Sequence, residues 1–451
     1  MRWFENAVFY AVPTLQALGA EEHNDFCSPA RHRIQRLVEL IPHIKALGCT
    51  AINLGPVNES SGHGYDTVDH FHIDRRLGNN ESFRETVAAF HEAGLKVIVD
   101  SVFNHTGRDH WAFYDLRMNK QASPYRDWFA GVDFSRNNGY GDGFAYKNWE
   151  GHDSLVTLNR GNPAVREQLF SHIKQLIQEH EVDGVRLDVA YSLESDFLAE
   201  LSQQARSERE DFYLMGEIIH GDYKRLLNEG ALDSVTNYEA SKGLWSSLND
   251  ANYFEIAWTL EREFGPDGLY RGEALYNFVD NHDVNRVYSL LKDKRHIRLV
   301  YAMLFCMPGT PALYYGSEFC ADGLRDSHSD RALRPHWDEI PKTAENLVPF
   351  LAELSRFRRE RPFLAHATYR KLHLENSLFA FALEEGGKQL VAVFNQADSP
   401  RPLALTVPRD GRAASGYRDI LSQRPIRQYP DGRLDLQLEA RSFLLLEPVG
   451  A

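Results

Sequence analysis

Eight short apolar runs rich in β-branched and aromatic residues recur along this chain, and most are separated by stretches with helical period. They cover residues 8–12, 50–54, 96–100, 184–188, 212–217, 234–238, 274–279 and 312–315. Strands that alternate with helices pair in parallel, because a parallel neighbour needs a long crossover connection. Eight such units predict an α/β fold, a (β/α)8 TIM barrel rather than an open doubly wound sheet. The helices carry their own signals. Ile34, Leu37, Val38, Ile41, Ile44 and Leu47 mark one face, with Pro42 predicting a kink or a restart. Phe83, Val87 and Phe90 mark the next helix, which Gly94 closes. Asn162 reads as an N-cap with Pro163 in the first turn of a third.

Spacing breaks the pattern once. The third run ends near Phe103 and the fourth begins near Asp183, about twice the usual βα repeat. Residues 104–160 are rich in Gly, Asn, Asp and aromatics with little helical period, which predicts a loop-rich subdomain over the C-terminal face of the barrel. From residue 365 onward short β-rich runs alternate with turn signals such as Glu385-Gly386-Gly387. The expected organisation is therefore a barrel from 1–103 and 161–364, an inserted subdomain from 104–160 and an antiparallel β domain from 365–451.

Composition excludes several classes of function. Sixty-four acidic against 50 basic residues give a net charge of -14, and no basic patch interrupts it, so nucleic acid is not an expected partner. Cys27, Cys49, Cys306 and Cys320 are scattered, without CxxC or zinc spacing, and read as reduced thiols, mostly buried. Glu5 stands where a signal peptide would need its apolar stretch, and no run of 18 apolar residues follows. The expectation is a cytoplasmic protein without a membrane partner.

Asp100, Asp188, Glu217 and Asp283 sit at or just past the ends of runs three, four, five and seven. One such residue is an ordinary cap or turn. Four converging on one barrel mouth suggest chemistry. Metal-assisted hydrolysis would want His and Asp ligands at spacings that His105 and His282 do not supply. Cleaving a glycosidic bond needs one carboxyl to protonate the leaving oxygen and a second to attack the sugar or activate water, which this inventory fits best. Arg286 could pair with a strand-end carboxylate or be a solvated arginine. Trp111, Tyr140, Phe144 and Trp149 could stack on sugars or form the core of the insertion.

Several segments resemble the α-amylase family, glycoside hydrolase family thirteen. Asp100-Ser101-Val102-Phe103-Asn104-His105, Gly184-Val185-Arg186-Leu187-Asp188, Gly216-Glu217 and Phe278-Val279-Asp280-Asn281-His282-Asp283 match its four signature regions in order. His63-Gly64-Tyr65-Asp66 and the stretch from Gly309 to Glu318 add two more. The resemblance implies that Asp188 is the nucleophile, Glu217 the general acid/base and Asp283 the carboxylate that holds and distorts the sugar. It implies that His105 and His282 bond sugar hydroxyls, that Tyr65 stacks on the ring, that Arg186 keeps Asp188 ionised, and that Asp100 supports the site. No cofactor is required for that chemistry. Asn104 matches a position that many members use to hold a structural calcium, for which Asp133, Asp142 or Asp153 would have to supply carboxylates.

Family resemblance fixes the bond type, an α-glucosidic linkage cleaved with retention, better than the substrate. Leu158-Asn159 ahead of the Asn162-Pro163 helix start, and Gly216-Glu217-Ile218 with His220 nearby, resemble the neopullulanase and cyclomaltodextrinase branch. A first strand at residue 8 leaves no room for the N-terminal β domain through which many of that branch dimerise; a homodimer by another interface stays open. The expected activity is hydrolysis of maltodextrins or cyclomaltodextrins. A 4-α-glucanotransferase on the same residues is the alternative, and a non-catalytic carbohydrate-binding homologue would have lost an acidic site residue.

Overall fold

The computed structural model describes residues 2–227, 231–326, 329–342, 346–408 and 416–450. Eight parallel strands form one sheet: β1 Phe9–Val12, β2 Ala51–Leu54, β3 Lys96–Val102, β4 Gly184–Asp188, β5 Tyr213–Gly216, β6 Ser234–Val235, β7 Tyr276–Asn277 and β8 Thr310–Tyr314. Their order is β6-β5-β4-β3-β2-β1-β8-β7. The two edges meet through a single parallel bridge, Thr236 with Tyr276, beside which the Asn237 N–H donates to the Tyr276 carbonyl at 2.9 Å. All eight expected runs are strands, and the sheet curls into a nearly closed (β/α)8 barrel.

Both faces of each strand are buried, which is why the runs read as continuously apolar. Phe9, Ile98, Tyr213, Met215, Tyr276 and Phe278 point inward and fill the barrel together with Phe4, whose ring stacks on Tyr213 at 4.4 Å. Val8, Tyr10, Val12, Ile52, Leu54, Val97 and Val99 point outward into the helical layer. Pro42 acts as a restart: a 3-10 segment Arg33–Leu40 gives way to a helix Ile41–Ala46 with the proline in its first turn. The helix Pro163–Gln178 is capped as expected, Asn162 Oδ1 accepting from the Ala164 N–H at 2.9 Å.

Residues after β3 build a three-stranded antiparallel sheet from His105–Gly107, Asn148–Trp149 and His152–Thr157. They also form a helix, Trp111–Asn119, that the reading of this segment as lacking helical period did not foresee. Its buried side chains are Ala112, Phe113 and Leu116, whereas Trp111, Tyr114 and Met118 are exposed. With apolar residues on both faces there is no amphipathic period to find. Beyond residue 365, a six-stranded antiparallel sheet and the two-stranded ribbon Arg401–Thr406 with Arg433–Leu438 enclose a separate core that includes Val391, Val393, Leu405 and Leu434. Among the described residues no helix is long and apolar enough to cross a membrane.

Phe9 is wholly buried, with the rings of Tyr276 and Tyr213 at 5.3 and 5.9 Å. Phe9→Ala should therefore cost about 3–5 kcal/mol in chemical denaturation. Phe254→Ala, at a half-exposed phenylalanine, should cost less than about 0.5 kcal/mol. Equal losses in the two variants would contradict this assignment of the barrel core.

Candidate active site

Each acidic side chain at the barrel mouth is positioned by the strand that precedes it. Asp188 is the last residue of β4, and the next residue, Val189, has φ +51°, a left-handed conformation that β-branched residues rarely adopt. This turn aims the Val189 N–H at Glu217 Oε2, 3.0 Å away. Glu217 follows β5 directly. The residue before it is a glycine in a tight space, where a Cβ would lie 2.5 Å from Leu232 Cδ1 and 2.9 Å from Ala190 Cβ. Asp283 follows β7 on a turn that Asn281 holds, its Oδ1 accepting from the N–H groups of Asp283 and Val284 at 2.8 and 3.1 Å.

One guanidinium gathers these groups. Arg186 Nη1 lies 2.8 Å from Asp100 Oδ2 and 3.6 Å from Asp188 Oδ1, and its Nη2 lies 2.6 Å from Glu217 Oε1. Its closest partners are thus Asp100 and Glu217, with Asp188 third. Tyr65 donates its hydroxyl to Asp100 Oδ2 at 2.9 Å, and that hydroxyl lies 2.6 Å from His282 Nε2. The two rings are parallel, 5.4 Å apart. His282 Nε2 is in turn 2.9 Å from Asp283 Oδ2.

Burial and the nearby Glu217 push Asp188 well above the ordinary aspartate range, with Arg186 opposing. Burial also raises Asp100, again against Arg186. At Asp283 burial is outweighed by His282 and Arg334, which hold it below the usual range. Burial beside one another thus favours retention of a proton at Asp188 and Asp100. His105 is neutral: burial and His63 push its ring down to about 3, and its Nε2 has no hydrogen-bond partner among the described residues.

A cavity of about 980 Å³ opens above this cluster, at the upper end of the ~300–1,000 Å³ range of small-molecule sites. Tyr65, His105, Asp188, Glu217 and Asp283 line it. Arg186, Asp100 and His282 lie beneath, around a smaller recess of about 30 Å³. Of the four aromatics singled out in the insertion, only Trp149 reaches the cavity. Phe144 is core, Trp111 is exposed, and Tyr140 is exposed beneath the Arg108 guanidinium, 3.7 Å from its ring. Arg286 is wholly buried, which removes the solvated reading. It donates to the Tyr315 carbonyl at 2.6 Å, lies over the Tyr314 ring and offsets the charge of Asp280.

Three residues of the site escaped the sequence reading. Arg334, in the loop after β8, places Nη2 2.9 Å from Asp283 Oδ1 and donates Nε to the His282 carbonyl at 3.0 Å. Tyr238 donates to Glu217 Oε1 at 3.3 Å and accepts from Asn281 Nδ2 at 2.9 Å. Asn281 stood inside a signature segment and Tyr238 ended a strand run, but nothing in their spacing marked them; Arg334 looked like any loop arginine.

The carboxylates expected to join Asn104 around a calcium are engaged elsewhere within the insertion. Asp142 is held by both Nη atoms of Arg108 at 2.9 and 3.0 Å. Asp153 accepts from Asn148 Nδ2 and the Gly139 N–H, and Asp133 caps Ser135. Among the described residues no group of three or more His, Cys, Asp or Glu side chains is arranged to hold a metal.

Residues 34–361 match the model of the α-amylase catalytic domain. The chain belongs to the α-amylase family. Its members are glycoside hydrolases acting on α-glucans. The chain is similar to a cyclomaltodextrinase of Thermoanaerobacter pseudethanolicus, 29% identical over 92% of this chain and 70% of that protein. It is also similar to neopullulanase 2 of Thermoactinomyces vulgaris, 29% identical over 98% of this chain and 78% of that protein. A solved cyclomaltodextrinase structure superimposes with a TM-score of 0.86 at 25% identity, covering 99% of this chain and 78% of its own.

Protonation of a carboxylate raised by burial occurs earlier as pH falls. The acid limb of kcat/KM should therefore lie well above ~3.9, the value of a free aspartate, since the role expected of Asp188 from the sequence requires its ionised form. An acid limb at or below that value, measured over the range where the fold stays intact, would contradict the described environment of Asp188.

Proposed function

We propose that the protein is a retaining glycoside hydrolase that cleaves α-glucosidic bonds in maltodextrins or cyclomaltodextrins through a covalent glycosyl-enzyme. The observation that carries this reading is the arrangement of Asp188 and Glu217, two carboxyl groups in one cavity and on one guanidinium. In the first step the Asp188 carboxylate attacks the anomeric carbon while the Glu217 carboxylic acid protonates the glycosidic oxygen, and the sugar beyond the bond departs. In the second step the Glu217 carboxylate takes a proton from an incoming water. The water oxygen displaces Asp188 from the anomeric carbon, which restores both residues and gives an α-anomeric product.

The remaining residues have supporting roles in this reading. Arg186 and the Val189 N–H orient Glu217, and Arg334 with His282 keeps Asp283 ionised to grip sugar hydroxyls. Tyr65 supplies a flat ring for the sugar at the cleavage point, and the free His105 Nε2 suits a hydroxyl. Ile219 and Val284, apolar residues on the cavity wall, favour a second sugar as well as water at the intermediate, so transfer to an acceptor is the companion activity. The relatives named cyclomaltodextrinase and neopullulanase support the substrate class. A cytoplasmic setting completes the reading, in keeping with the scattered cysteines of the sequence.

Glu217→Gln should lower turnover about 10²–10⁴-fold, and Asp188→Asn by several orders of magnitude, with thermal midpoints unchanged. Near-wild-type turnover of either purified variant would reject its role. Proton NMR of the first products from maltotriose and from a cyclomaltodextrin should show the α anomer. Initial β anomer would exclude double displacement, and cleavage confined to isomalto-oligosaccharides would exclude the substrate class.

A further inference from the structure

At the junction of barrel and insertion, beside Asn104, this chain builds a cage of acceptors. The main-chain carbonyls of Phe103 and Asn104 enter it from the residues after β3. The Ser192 carbonyl enters from the turn after β4, and the Glu194 carboxylate from the start of the helix Ser195–Glu208. Carbonyls plus a carboxylate are the donor set of a hard cation. The centre of the cage is occupied by the chain itself. Arg160 Nη1 reaches the Phe103 and Asn104 carbonyls at 3.3 and 3.0 Å, Nη2 reaches the Ser192 carbonyl at 3.2 Å and Glu194 Oε1 at 3.0 Å, and Nε reaches Glu194 Oε2 at 2.6 Å. A guanidinium has five N–H donors, and here each has an acceptor. The Arg160 side chain is only 3% exposed.

We infer that the Arg160 guanidinium is the cation that joins insertion to barrel in this protein, and that the junction takes no calcium. Arg160 is a positioning residue. One face of its fork fixes the backbone immediately before His105, and the other fixes the 3-10 turn Ala190–Ser192 that follows Asp188 and Val189. Those two segments leave adjacent strands, Val102 pairing with Asp188 in register. The fork therefore sets the spacing of two walls of the cavity. A lysine would bring the charge but not the planar fork that meets carbonyls on both sides.

Two measurements test this. Wild-type protein treated exhaustively with a strong chelator and desalted should keep its thermal midpoint and kcat, with calcium well below one equivalent by elemental analysis. Arg160→Ala should lower the midpoint by about 5 °C or more. It should also lower kcat about 10-fold or more, since small misplacements at the reacting centre are costly. Low-millimolar guanidinium should restore part of the lost kcat in Arg160→Ala and none in a variant of equal midpoint made in the core of the C-terminal domain. Arg160→Lys should remain impaired. The inference is overturned if chelation lowers the wild-type midpoint and calcium restores it, if Arg160→Ala matches wild type, or if guanidinium rescues neither more nor less than it does the control.

Discussion

A single buried guanidinium holds the catalytic end of this barrel together. Arg186 touches carboxylates carried by β3, by β4 and by the residue after β5, so three neighbouring strands converge on one positive charge. Removing so many charges from water is expensive unless they are paired and hydrogen bonded. The pairing explains why Asp100, Asp188 and Glu217 are tolerated in an otherwise apolar barrel. Burial, which a single cation only partly offsets, keeps Asp188 and Asp100 above the ordinary aspartate range.

Asp283 is managed differently. It draws its stabilisation from His282 and from Arg334, which arrives on the loop after β8. The two carboxyl groups proposed as nucleophile and acid/base thus share a cation, while the one proposed to grip the substrate has its own. In the proposed cycle that division keeps the grip of Asp283 separate from the esterification of Asp188 and the proton transfer at Glu217. Tyr65 links the two halves by bonding to Asp100 while lying against His282.

The strands were legible in the sequence because burial on both faces leaves apolar runs, and the acidic residues stood out because they interrupt that apolarity at consistent places. The cations were not legible in the same way. Arg334 reaches a partner 51 residues away, and Arg160 reaches backbone carbonyls 56 and 57 residues away, contacts that no local spacing encodes. A buried loop arginine and a solvated one look identical in sequence, which is also why Arg286 was ambiguous. The helix Trp111–Asn119 stayed hidden because its exposed face is apolar too. The calcium expectation rested on Asn104 by resemblance, and the side chains that would have completed the site are engaged within the insertion.

The barrel wall is thinnest where β6 and β7, two residues each, meet through the Thr236–Tyr276 bridge. The segments that continue from this seam carry Asn281 and Tyr238, Asn281 donating to the Tyr238 hydroxyl and Tyr238 donating in turn to Glu217. Backbone pairing is sparsest at that seam, on the side from which Tyr238 reaches Glu217, whereas the strand that ends in Asp188 is paired over residues 184–187 on one side and 184–188 on the other. The cavity is thus framed by one densely laddered wall and one held chiefly by side chains.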